Sequence, residues 1–113
     1  MDMLYYIYIG SNRVTIDHLS KIAGGMFMAV SSCNKAAKVI DGIRERYNTS
    51  ILYEESTPQK DSQDITFLHK RFPRVYIILI TEGLQKEHRK LYLQAGVNNT
   101  LSPMASEESL QQM

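Results

Sequence analysis

The carboxylates best placed for acid–base chemistry are one adjacent pair, Glu54 and Glu55, at the end of a short apolar stretch. Neighbouring residues on a strand point to opposite faces, so these two carboxylates cannot readily act on one bond as acid and base. We therefore predict that Glu54 and Glu55 are two exposed loop charges and not a catalytic pair.

The other reactive side chains are scattered along the chain. His18, His69 and His88 fall on three different predicted helices, without an i, i+4 partner or a nearby cysteine, which predicts surface histidines and no metal site. Cys33 is the single cysteine, so an internal disulfide and a cysteine-rich metal site are excluded. A thiol at a helix start could have a lowered pKa, but we expect a structural cysteine here.

Two glycine-containing turns could in principle bind phosphate. Gly10-Ser11-Asn12 follows a predicted strand and opens a helix, as a phosphate-binding loop does, but it has no multi-glycine pattern and no downstream lysine. Gly24-Gly25 follows a helix and reads as its stop. No cofactor is predicted.

Apolar runs predict the strands that must position these residues. The clearest run, Val75–Ile80, is continuous and rich in β-branched residues, as in strands that are covered by helices on both faces. The other predicted strands are Leu4–Ile9, Met26–Val30, Ser50–Tyr53 and Asn98–Leu101.

Helical spacing fills the intervals between the strands. The predicted helices are Val14–Ala23, a helix from Ser32 or Asn34 to about Tyr47, Asp64–Phe72, Leu84–Ala95 and a short last helix capped by Ser106. The polar segment Ser56–Gln63, which contains Pro58, is predicted as a loop. This alternation predicts an α/β sandwich with parallel strands and right-handed crossovers.

Length and charge narrow the function classes. A chain of 113 residues predicts a single domain, and a net charge of +1 gives no field that would recruit nucleic acid or a membrane surface. The run Leu4–Ile9 is too short to span a bilayer and resembles no signal peptide, which predicts a cytoplasmic protein. Because the last helix is so short, we expect residues 1–113 to be the front part of a longer protein.

With its elements in this order, the chain resembles the receiver domains of two-component response regulators over essentially its whole length. The second half carries the most specific match: IILIT, then a helix ending in QAG, then VNNTLSPMASEESL. In ILYEESTP, Pro58 lies four residues after Glu54, where the family has a proline four residues after its phosphoacceptor aspartate. The resemblance implies a flavodoxin-like, CheY-like three-layer sandwich whose five-stranded parallel sheet has the order 2-1-3-4-5. It also implies a bacterial signalling domain of the phosphorelay type.

The phosphorylation residues of that family are largely replaced. By the resemblance, Glu54 stands at the phosphoacceptor position, and Gly10 and Ser11 stand where the family has the acidic pair that holds its divalent metal. The phosphate-pairing lysine falls on Pro103, or on Ser102 if one residue is deleted. We therefore expect a degenerate pseudo-receiver that binds no metal.

The switch residues are only partly kept. The hydroxyl that senses phosphorylation in the family survives as Thr81, and we expect Thr81 alone to be able to hydrogen-bond to Glu54. The switch aromatic of the fifth strand falls on Thr100. Glu54 is therefore predicted to be structural or exposed, and not a built-in imitation of the phosphorylated aspartate.

The function predicted from this resemblance is non-enzymatic regulation through protein contacts, without direct binding of nucleic acid. The partner is expected to be a second copy of the chain or an output domain beyond Met113. The residues of the expected interaction face are Lys86, Glu87, Lys90, Tyr92 and Thr100. Two alternatives remain open: a sensor that binds a small molecule in the vacated pocket near Gly10, Thr81 and Pro103, and an atypical receiver still phosphorylated at Glu54.

Overall fold

The apolar runs form five strands that alternate with five helices in a computed structural model, which describes residues 3–43 and 48–113. The strands are β1 Tyr5–Ile9, β2 Met26–Val30, β3 Thr49–Glu54, β4 Tyr76–Ile80 and β5 Asn99–Leu101. The helices are α1 Arg13–Ile22, α2 Cys33–Asp41, α3 Pro58–Arg71, α4 Lys86–Ala95 and α5 Glu107–Gln111.

All neighbouring strands pair in parallel, and their order is β2-β1-β3-β4-β5. The predicted fold class is therefore confirmed. One face of the sheet, with Ile7, Ile51 and Ile77, packs against α2, α3 and α4. The other face, with Tyr6 and Leu52, packs against α1 and α5. Because the strands are parallel, their carboxyl ends and the loops that follow them meet at one edge of the sheet.

The prediction of a loop at Ser56–Gln63 is wrong, because α3 begins at Pro58. Proline lacks the backbone N–H, but the first residue of a helix has no intrahelical partner for that group, so Pro58 fits this position. The polar residues that follow form the first turns of a helix whose buried positions include Asp61.

Two other helices have boundaries that differ from the prediction, and the last helix agrees with it. Helix α2 ends at Asp41, where the Gly42 N–H bonds to the Val39 carbonyl, so the prediction is wrong for Gly42 and Ile43. The rest of the predicted extension, as far as Tyr47, lies outside the described residues. Helix α4 begins at Lys86, two residues after the predicted Leu84. Helix α5 is short as predicted, and the Ser106 side chain caps it.

Candidate functional site

Glu54, the last residue of β3, directs its carboxylate into the loop between β1 and α1. The Tyr8 hydroxyl donates to Glu54 Oε1 at 2.7 Å, and the Asn12 backbone N–H donates to the same oxygen at 2.9 Å. The Ser11 backbone N–H donates to Oε2 at 3.3 Å. The protein itself therefore satisfies both carboxylate oxygens.

Gly10 makes room for this arrangement. A Cβ atom at Gly10 would lie 2.6 Å from both Cβ and Cδ of Glu54, so only a residue without a side chain fits below the carboxylate. Its φ of +155° also lies at the margin of the region that glycine adopts more readily than other residues. The space that a side chain of the family's acidic pair would need is thus filled by the Glu54 side chain.

Tyr8 is completely buried beside Glu54. Burial, with a smaller contribution from the hydrogen bond to Glu54 and from its charge, raises the pKa of the Tyr8 phenol far above its ordinary value of 10. The phenol therefore stays protonated over the physiological range and acts as a permanent donor to Glu54.

Thr81 contacts Glu55 and not Glu54. Its hydroxyl donates to Glu55 Oε1 at 2.7 Å and accepts the Gly83 backbone N–H at 3.2 Å. The expected hydrogen bond between Thr81 and Glu54 is therefore wrong. The expectation of two exposed carboxylates is also wrong, because both are half-buried and hydrogen-bonded. They do point to different neighbours, as the strand geometry predicts.

A small cavity of about 220 Å³ lies at this edge of the sheet. Of the predicted pocket residues, Glu54, Thr81 and Pro103 line it, whereas Gly10 and Ser11 lie beneath the Glu54 carboxylate. Of the two positions expected for the family's lysine, Pro103 lines the cavity and Ser102 is not part of its wall.

The residues at this edge do not fit the divalent metal of phosphorylated receivers. Magnesium prefers carboxylate and water oxygens in near-octahedral geometry. Within residues 3–43 and 48–113, no group of three or more histidine, cysteine, aspartate or glutamate side chains could hold a metal ion. The Glu54 oxygens already accept hydrogen bonds from Tyr8 and the loop backbone.

Sequence reasoning missed the buried carboxylate Asp61, which is 0% exposed. The Tyr92 hydroxyl and the Ser56 backbone N–H donate to Asp61 Oδ2 at 2.8 Å and 2.7 Å, and the Tyr53 hydroxyl donates to Oδ1 at 3.3 Å. Asp61 precedes Ile65 and Leu68 at helical spacing, which could have indicated an inward position. This spacing was not applied to Asp61, because its segment was predicted as a loop.

Tyr92 was expected on the exposed interaction face, and this placement is wrong because its side chain is fully buried against Asp61. Burial, followed by the hydrogen bond to Asp61, raises the pKa of the Tyr92 phenol. The pKa of Tyr53 is raised in the same way, by burial first and then by its hydrogen bond to Asp64. Both phenols are therefore neutral donors.

The remaining residues of the expected interaction face are exposed. Lys86, Glu87 and Lys90 lie on the outside of α4, and Thr100 is exposed on β5. Leu93, one helical turn beyond Arg89, is 59% exposed beside a groove of about 230 Å³ between α4 and β5. The surface thus combines cations with accessible apolar area.

The histidines and the cysteine lie apart from the cavity. His18, His69 and His88 lie on α1, α3 and α4, as predicted, and His18 Nε2 is 2.6 Å from the Ala105 carbonyl oxygen. Cys33 begins α2, where burial raises the pKa of its thiol and disfavours the reactive thiolate. No helix among the described residues is long and apolar enough to cross a bilayer.

Comparison with known proteins relates this fold to signalling domains. No protein-family model and no curated protein matches the sequence. A response regulator from Thermotoga maritima has a TM-score of 0.84 and 11% identity, over 98% of this chain and 93% of that one. The CheY-like protein tadZ from Pseudomonas aeruginosa has a TM-score of 0.80 and 13% identity, over 99% of this chain and 90% of that one.

A third similar structure was crystallised with a partner. The receiver domain of the Saccharomyces cerevisiae response regulator Ssk1, in complex with the histidine phosphotransfer protein Ypd1, has a TM-score of 0.69 and 12% identity, over 97% of this chain and 85% of that one. At such identities a structural likeness establishes the fold alone. With its strand order and element boundaries, the chain therefore has the fold of CheY-like response regulator receiver domains.

Proposed function

We propose that this chain is a receiver-like regulatory module that takes up no phosphoryl group at Glu54 and acts through contacts with other proteins. The observation that carries the proposal is the Glu54 carboxylate, which accepts hydrogen bonds from Tyr8, Ser11 and Asn12 in the space above Gly10. A built-in structural contact occupies the position at which a working receiver performs phosphoryl transfer.

The chemistry of phosphoryl transfer explains why this contact argues against phosphorylation. The attacking oxygen needs an accessible lone pair in line with the donor, and metal ions and cations must neutralise the developing charge. Glu54 Oε1 accepts two hydrogen bonds and Oε2 accepts one, so attack through either oxygen would compete with contacts that the fold already makes. The cavity wall beside it carries the further carboxylates Glu55 and Glu82, which would repel an incoming phosphoryl anion.

A phosphodonor experiment tests the proposal. The full chain is incubated with acetyl phosphate and magnesium, and its intact mass is measured over time, with a working receiver domain as the positive control. The expected result is no phosphoryl adduct on this chain under conditions that label the control. A magnesium titration followed by tyrosine fluorescence is expected to show no saturable change.

The variant Glu54→Gln identifies the site if an adduct does form. A stoichiometric adduct that is present in the unmodified chain and absent in Glu54→Gln would overturn the proposal and establish the atypical receiver instead. An adduct that persists in Glu54→Gln would lie elsewhere and would not concern this site.

The outer side of α4 with β5 is the surface through which we propose that the module contacts its partner. Lys86 and Lys90 offer two cations to a partner carboxylate, and Leu93 offers apolar area at the neighbouring groove. The proposed partner is an output domain beyond Met113 or a second copy of the chain. With no phosphorylation to switch it, the surface would act constitutively.

The small-molecule alternative draws less support from the geometry. The cavity at Glu54 and Thr81 measures about 220 Å³, below the roughly 300–1,000 Å³ that is usual for ligand pockets. Its wall is also dominated by carboxylates and hydroxyls and offers little apolar surface to a ligand.

A further inference from the structure

The edge strand β2 lacks the features that usually prevent an exposed edge from pairing with another chain. Natural edge strands carry charges, prolines or bulges for this purpose. Met26–Val30 reads MFMAV, with no charge and no proline, and it is paired with β1 in continuous register. Met26 and Met28 are 57% and 48% exposed. The strand is thus an apolar edge with an open outer side.

The backbone N–H and C=O groups of β2 point alternately toward β1 and toward the open outer side. The Met26 N–H donates to the Leu4 carbonyl, and the Val30 carbonyl accepts from the Gly10 N–H, so the even-numbered residues pair with β1. In a parallel ladder the intervening residues direct their polar groups to the other side. The N–H and C=O groups of Phe27 and Ala29 therefore point outward, where the described residues contribute no further strand.

We propose that β2 pairs antiparallel with β2 of a second copy of the chain, centred on Met28, so that two five-stranded sheets join into one. In this register Met28 faces Met28 of the second copy as a non-hydrogen-bonded pair. Phe27 faces Ala29 of the second copy as a hydrogen-bonded pair, which is the pairing that the outward groups require.

The sequence around Met28 fits this two-fold axis. Phe27, the largest side chain of the strand, would face Ala29, the smallest, and Met26 would face Val30. Beyond the strand, Gly25 would face Ser31, so only small residues meet at both ends. A two-fold axis brings the residues nearest to it close to their own copies, and the lack of charge on β2 avoids like-charge repulsion there.

A second copy is favoured over an unrelated extended peptide for the same reason. A second copy presents the complementary order of large and small residues at all five positions in the register that the backbone allows. The net charge of +1 leaves little long-range repulsion between two copies. The proposed dimer uses an edge remote from α4 and therefore does not depend on the function proposed for that surface.

Sedimentation velocity of the full chain over micromolar to millimolar concentrations tests the proposal. The unmodified chain is expected to form dimers. Ala29→Pro removes an outward N–H without breaking the bonds to β1, and Met28→Lys places two ammonium groups at the axis, so each should weaken dimerisation about tenfold or more. Met104→Lys is the matched control, since Met104 is 60% exposed away from β2.

Cysteine cross-linking tests the register in a Cys33→Ser background. Non-hydrogen-bonded antiparallel pairs have Cα atoms about 4.5 Å apart, within disulfide range, so Met28→Cys should form a disulfide-linked dimer on oxidation. Ala29→Cys should not, because its two copies would be displaced by two residues, about 6.7 Å along the strands, in addition to the spacing between strands.

Several outcomes would overturn the proposal. These are a monomer at every concentration, a dimer unaffected by both Ala29→Pro and Met28→Lys, and cross-linking through Ala29→Cys but not through Met28→Cys. A dimer lost only on charge reversal of Lys86 and Lys90 would instead place self-association on α4. Far-UV circular dichroism shows which variants fold. If Ala29→Pro does not fold, the effect of Met28→Lys on dimerisation decides the test.

Discussion

Glu54 and Gly10 act as one unit at the scale of single residues. The carboxylate can reach Tyr8 and the loop backbone only because Gly10 has no side chain, and Gly10 in turn lies beneath a carboxylate that fills its space. We therefore expect that Glu54 does not act as an imitation of phospho-aspartate. Its charge is used within the loop, and Thr81 is bound to Glu55 instead.

A double-mutant cycle tests the coupling between these two residues. Gly10→Ala should destabilise the fold by about 1–3 kcal/mol through overpacking, and Glu54→Ala by about 1–3 kcal/mol through loss of the acceptor. The double variant should cost less than the sum by about 1 kcal/mol, since removing Glu54 frees the space. Urea unfolding measures all four free energies, and additivity within about 0.5 kcal/mol would contradict the coupling.

Asp61 joins several elements at the scale of helices and strands. Its carboxylate lies on α3 and binds Tyr53 of β3, Tyr92 of α4 and the loop residue Ser56. Because the group is fully buried, water cannot replace any of these partners. The position of α4, and with it the proposed contact surface, therefore depends on a carboxylate on the neighbouring helix.

Replacing Asp61 should be far more costly than replacing an exposed aspartate. Asp61→Ala leaves the buried Tyr92 hydroxyl without an acceptor and removes the bond to the Ser56 N–H, whereas the Tyr53 hydroxyl keeps Asp64 as an acceptor. The free energy of unfolding should therefore fall by about 2–3 kcal/mol. The control is Asp41→Ala, whose exposed ion pair with Arg71 should be worth less than about 1 kcal/mol. Chemical denaturation of both variants gives the comparison, and similar losses would contradict the role of Asp61.

Buried phenols shape the stability of the whole molecule at alkaline pH. Burial is the main cause that raises the pKa values of Tyr6, Tyr8, Tyr53 and Tyr92 above the ordinary value of 10. In the unfolded chain these phenols lose their protons as the pH passes 10, whereas in the folded chain they keep them. The unfolded state then binds fewer protons, so the free energy of unfolding must fall as the pH rises.

These tyrosines should therefore give the free energy of unfolding almost no pH dependence below about pH 9, and they should make it fall with rising pH above about pH 10. Each retained phenol proton contributes a slope of about 1.4 kcal/mol per pH unit, so Tyr92→Phe should reduce the decline by about that amount. The raised pKa of Lys60, which donates to Asp64, acts in the same direction but weakly, because its side chain is exposed. Urea midpoints from pH 8 to 11 test this, and a flat profile would contradict it.

The sequence by itself determined the strands and most helices, because these depend on local patterns of apolar residues and caps, whereas the strand order followed from the resemblance to receiver domains. Val75–Ile80 is too short and too continuous for a helix, and β4 occupies most of it. Ser106 was recognisable as a cap, and Gly96 was recognisable as the stop of α4. The loop prediction for the segment with Pro58 was wrong because proline fits the first position of a helix but disrupts its interior.

Only the tertiary structure decided what the polar residues bind. Glu54 meets Tyr8, which is 46 positions away, and Asp61 meets Tyr92, which is 31 positions away. Thr81 lies near two adjacent carboxylates, and the geometry at the strand ends selects Glu55. Such contacts depend on distances of a few ångströms between segments that are far apart in the chain. Strands and helices depend on patterns among neighbouring residues, and these local patterns carry no information about which distant side chains meet.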